Sequence, residues 1–69
     1  MGEHMGQFYA QADNEDHCRR SVVRRRPITI IGLTTDGKTR EFTGMVHSVE
    51  SGHTLHPGYP LRVTMLDSN

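Results

Sequence analysis

Sixty-nine residues with eight Lys and Arg, eight Asp and Glu and a single cysteine make one small domain with a formal net charge of zero. That balance excludes an overall field that selects partners, and a lone Cys18 excludes an internal disulfide, leaving only an intermolecular bridge. No apolar run approaches the ~20 residues of a membrane span and no signal-peptide core is seen, so the reading is a cytoplasmic chain without a membrane partner.

Residues 1–18 read as a disordered tail and residues 19–69 as a small β-domain. Within the tail, residues 1–4 ahead of Met5 look like a cloning scar. Residues 7–16 are polar, with only Phe8, Tyr9, Ala10 and Ala12 apolar and no helical stripe, which predicts mobility. Asp13 or Asn14 is placed to cap one short helical turn over 15–20. Asp13, Glu15 and Asp16 are followed at once by Arg19, Arg20, Arg24, Arg25 and Arg26. The neutral total therefore hides a basic knot, which the acids can screen.

Pro27 forces Arg26 towards extended backbone and opens the β-region. Residues 28–34 are rich in β-branched side chains and predict a strand. Ile28 and Ile30 point to one face, Ile31 and Leu33 to the other, which predicts burial on both sides. Asp36-Gly37 supplies the positive φ values of a tight hairpin. A second strand follows over 39–49, with Gly44 marking a bulge, a bend or a close approach of another backbone. Residues 50–52 form a turn, Thr54-Leu55 at best a short strand, and Pro57-Gly58 a type II turn. Residues 61–66 alternate, with Leu61, Val63 and Met65 inward and Arg62 and Thr64 outward. The fold class is all-β: a small antiparallel β-barrel or partly open barrel with a disordered N-terminal tail.

The arginine knot carries the functional signal. Arg20 and Arg24 are spaced R-x-x-x-R, and two forked guanidiniums grip phosphates bidentately or stack on a base in a way lysine does not match. Residues 44–55 read G-M-V-H-S-V-E-S-G-H-T-L. Taken with the arginine pair, this resembles the PilZ domain, a bacterial receptor family for cyclic di-GMP, whose pattern is R-x-x-x-R before a first strand and then [D/N]-x-S-x-x-G. Arg20 and Arg24 match the pair, Gly52 matches the closing glycine, and the resemblance spans about residues 19–65. His47 stands where the family has Asp or Asn, and Val49 where it has Ser. The matched stretch also ends before the last strands of the family's barrel. The resemblance thus implies the phosphate-gripping half of a cyclic di-GMP site and little of its base-reading half. The ligand-binding residues it and the knot nominate are Arg20, Arg24, Arg25, His47 and Gly52.

Other classes stay open beside it. The basic segment 19–26 on a β-scaffold also suits nucleic acid, although Phe8, Tyr9, Phe42 and Tyr59 are few for stacking bases. A protein partner is a further reading, as is a structural homo-oligomer. Too few strands to close a barrel, and a first strand apolar on both faces, predict a homodimer through the first and last strands of 28–66. His47, His53 and His56 are close in sequence but lack a fourth ligand, so no metal is assigned. Cys18 reads as an exposed thiol, with Arg19 and Arg20 placed to lower its pKa. Ser48 and Ser51 have no nucleophile elbow or orienting carboxylate, so no catalytic residue is named and no cofactor is implied.

Overall fold

The computed structural model describes residues 3–68. Its elements are β1 (Glu3–Ala10), a 3-10 turn (Ala12–Asn14), α1 (Glu15–Arg24), β2 (Ile28–Leu33), β3 (Thr39–Glu50) and β4 (Leu61–Ser68). The four strands are antiparallel neighbours in the order β1-β2-β3-β4, and β4 returns to β1, forming a ring. Three seams of the ring are long. β1 pairs with β4 along all eight of its residues, β2 with β3 from Ile28↔Gly44 to Leu33↔Thr39, and β3 with β4 from Gly44↔Asp67 to Glu50↔Arg62. The fourth seam, between β1 and β2, is a single pair, Tyr9↔Leu33.

The expected tail is replaced by structure over the described residues. β1 and α1 occupy most of the segment whose composition predicts mobility, and residue 19, the expected domain boundary, falls inside α1. The part of the scar reading that concerns Met1 and Gly2 lies outside the described residues. β1 is ordered by its partner, because β4 satisfies its backbone along one whole edge. Phe8 and Ala10 then enter the core with Cys18, Ile30, Val46, Leu61, Val63 and Met65. Phe8 stacks flat on Phe42, ring centroids 3.9 Å apart.

Downstream, the periodic signals hold. Gly37 (φ 86°) closes the β2–β3 hairpin, where Thr34 N–H donates to Lys38 O at 2.8 Å and Gly37 N–H to Thr34 O at 2.9 Å. Leu61, Val63 and Met65 are buried while Arg62 and Thr64 are half-buried. Gly44 is the close approach: a Cβ there would run into the Leu66 carbonyl oxygen of β4. The bulge falls three residues later, between Val46 and Ser48, and leaves His47 unpaired. Residues 51–60 are a loop without a strand at Thr54-Leu55. Within it Gly58 (φ 88°) and the Tyr59 N–H to His56 O bond at 3.0 Å make the expected Pro-Gly turn. β2 is not buried on both faces. Ile30 is buried, but Ile31 is 53% exposed, because the core lies inside the ring and β2 has no second layer over it.

Candidate functional site

α1 is built by charge at its ends and by small residues on its inner face. Glu15 and Asp16 stand in the first turn and Arg24 in the last, each complementing the helix dipole. Glu15 also accepts from Arg19 one turn on, at 2.7 Å. Cys18 and Ser21 are buried against the sheet and Val22 packs beside them. Asn14 is the N-cap residue, yet its side chain makes no capping bond.

β2 covers β3 only as far as Gly44, and beyond that point α1 takes over the β3 edge. Ser21 is the joint. Its hydroxyl donates to Arg26 O at 2.7 Å and accepts from Val46 N–H at 3.1 Å, with the residue 2% exposed. The helix ends at Arg24. Arg25 adopts left-handed backbone (φ 58°, ψ 43°) and its N–H donates to Ser21 O at 2.8 Å.

This geometry sorts the arginines. His17, Arg20, Ser21 and Arg24 lie at i, i+3, i+4 and i+7, on one side of the helix. With Arg26 and Ile28 they line an open hollow of about 330 Å³. Arg19 is held by Glu15 and Arg62 by Glu50 (2.8 Å), whereas among the described residues Arg20, Arg24, Arg25 and Arg26 have no ion-pair partner. The left-handed turn sends Arg25 elsewhere. It lines a second hollow, about 400 Å³, together with the bulged His47. Gly52 lies near the start of the 51–60 loop, where a side chain would meet only open space. Of the five nominated residues, Arg20 and Arg24 come together, Arg25 and His47 form a separate pair, and Gly52 stands apart from both. His17 and Arg26 join Arg20 and Arg24 without having been nominated; a helix extended to Arg24 would have revealed His17 by its spacing.

No protein family, curated protein or solved structure matches this chain.

The remaining reactive groups are occupied. His53 and His56 both set ring edges against Tyr9, at 6.2 and 5.2 Å between centroids. His53 Nε2 also meets Glu50 at 3.2 Å, and His56 Nε2 meets Thr35 O at 3.2 Å. The Arg62 hydrogen bond, then that of His53, holds the Glu50 carboxyl below the usual range. Among the described residues no three His, Cys, Asp or Glu side chains gather as a metal site. Cys18 is not the exposed thiol expected: it is buried, and burial raises its pKa against the smaller, opposing pull of Arg19. A larger cleft, about 560 Å³, opens where β1 and the β2–β3 hairpin diverge. It contains Asp36 and Asp67, and the Phe42 ring in it is covered by Phe8 and by Arg40, 5.0 Å from its centroid. It is poorly suited to an anion. No helix among the described residues is long and apolar enough to cross a membrane.

Proposed function

We propose that this chain is a non-enzymatic binding module whose ligand is a phosphodiester held on the arginine side of α1. The observation that carries the reading is the convergence of Arg20, Arg24 and Arg26 on one open hollow without an ion-pair partner. Unpaired guanidiniums in water recruit anions, and each forks to two phosphate oxygens. In this reading the ring of strands is a partly open barrel that serves as scaffold and the chain works in the cytoplasm.

The backbone of a nucleic acid is the phosphodiester best supported. The Ser21 hydroxyl at the floor is already used twice, no Phe, Tyr or Trp lines the hollow, and His47 and Gly52 lie elsewhere. Such a surface grips phosphates without reading bases. The second reading, a cyclic dinucleotide, is favoured by the Arg20–Arg24 pair one helical turn apart and by the PilZ resemblance of residues 19–65.

Titration with short DNA and RNA and with cyclic di-GMP, each at two salt concentrations, separates them. A steep salt slope on polynucleotide with no saturable dinucleotide binding supports the first. Saturable dinucleotide binding at fixed stoichiometry supports the second. Replacing Arg20 and Arg24 together with Ala leaves α1 intact, since both are exposed and Ala is the best helix former. Each lost contact is expected to cost about 1.5–3 kcal/mol of binding. A folded double variant that binds as well as the parent refutes the site.

A further inference from the structure

We infer that the second hollow is a protein-docking site, and that its occupant is an acidic amphipathic segment presenting one large apolar anchor. The hollow lies on the outside of the ring, where Met5, Leu66 and Met45 are directly paired across β1, β4 and β3. Val22 of α1 and Val46 complete its apolar lining. Met5 is 51% exposed, and Leu66 and Met45 are half-buried, so the stripe meets water. Methionine is flexible and polarizable, which suits a surface that moulds itself to another side chain. A space of about 400 Å³ admits a single large anchor, not a helix face.

The rim decides what chemistry the occupant carries. Among the described residues Arg25 and His47 stand on it, and no carboxylate does. Both are there through departures from regular backbone. Arg25 occupies a left-handed position where glycine is usual, and His47 is the extra residue of the β3 bulge. A second copy of this chain is a poor occupant. A twofold contact centred on this patch would bring the two Arg25 guanidiniums of the pair towards each other, which like-charge repulsion opposes. A segment with carboxylates flanking its anchor meets the rim with opposite charge, and the desolvated anchor supplies most of the affinity.

The site shares no lining residue with the Arg20–Arg24–Arg26 hollow and stands or falls separately. The test uses the full chain and a synthetic amphipathic peptide with a single Phe anchor flanked by glutamates. Its companions carry Gln for every Glu, or Ala for the Phe. Methyl NMR signals of Met5 and Met45 are followed during titration, and affinity is read by fluorescence anisotropy. The expected result is a saturable shift of both methyls by the acidic peptide. Binding should weaken by about tenfold or more, the size of one charge-assisted contact, with the Gln peptide and with Arg25→Glu. Met5→Lys, at a half-exposed strand position, should abolish it. The Arg20→Ala, Arg24→Ala double variant should bind the peptide as the parent does. Four results overturn the inference: unmoved Met5 and Met45 signals at millimolar peptide, equal affinity for the Gln peptide, methyl shifts that depend on the chain's own concentration alone, or binding of phosphatidylserine vesicles that excludes the peptide.

Discussion

Cys18 shows how one residue changes meaning with its surroundings. In the sequence it sits beside Arg19 and Arg20, an arrangement that lowers a thiol pKa. In the fold its side chain turns inward from α1 with no exposed surface, and loss of water outweighs the neighbouring charge. The sign of the pH effect follows. The raised folded pKa means that the native chain keeps this proton where the unfolded chain, at about 8.5, begins to lose it. Stability from this group is whole below that value and is lost as pH rises through the folded pKa. Urea midpoints should therefore fall between pH 8 and pH 10, and fall less in Cys18→Ala. Labelling by a thiol reagent at pH 8 should be orders of magnitude slower for the native than for the urea-unfolded chain, since it needs an opening of the core. Rapid native labelling, or identical pH slopes in the two proteins, would show an accessible thiol.

At the level of elements, α1 is fixed to the sheet through Ser21, and the arrangement of the arginines depends on it. Ser21→Ala removes one hydroxyl and leaves two backbone groups, Val46 N–H and Arg26 C=O, without that partner. The expected loss is about 1–3 kcal/mol in urea unfolding, because buried polar groups pay their full desolvation when unpaired. A change within about 0.5 kcal/mol, the scale of ordinary surface substitutions, would mean that the joint carries little. The same elements explain what could be read from the sequence. β2, β3 and β4 announced themselves through β-branched alternation and the Asp36-Gly37 turn. β1 did not, because His4 and Gly6 share the inward-facing register of Phe8 and Ala10 and blur its period. α1 was seen for half its length, since its inner face is made of Cys18, Ser21 and Val22 instead of large apolar residues. The Arg20–Arg24 pair was legible as spacing. The separation of Arg25 from it was not, since no glycine marks the left-handed cap. Nor was the placement of His47, because a bulge belongs to a pair of strands and cannot be found in one.

For the whole molecule the decisive fact is that the N-terminal residues supply the fourth strand. Two features of the sequence predict a homodimer: missing strands and a first strand apolar on both faces. β1 answers the first point: Phe8 is buried within the ring, and Tyr9, on the opposite face of β1, is buried against His53 and His56. The proposal of a twofold pair through β2 now rests on Ile31, exposed on the outer face. The consequence for truncation is opposite to that of a dispensable tail. A chain beginning at Arg19 loses β1, the first turn of α1 and Cys18 with them. The β4 edge then has eight positions without a partner, and Leu61, Val63 and Met65 lose the cover of Phe8 and Ala10. Small domains have little stability to spare, since below ~70–80 residues a single core rarely supplies more than ~3–5 kcal/mol. Deleting Phe8 alone has the scale of a large-to-small core change, about 3–5 kcal/mol. The truncated chain should therefore show no cooperative thermal transition by circular dichroism and collapsed amide dispersion by NMR. Sedimentation should find it aggregated or expanded, because an uncovered strand edge recruits other chains. Adding back a synthetic peptide of residues 1–18 should restore dispersion by re-pairing β4. A truncated chain that unfolds cooperatively without the peptide, as monomer or as dimer, would show that β1 is dispensable and that the ring closes by other means.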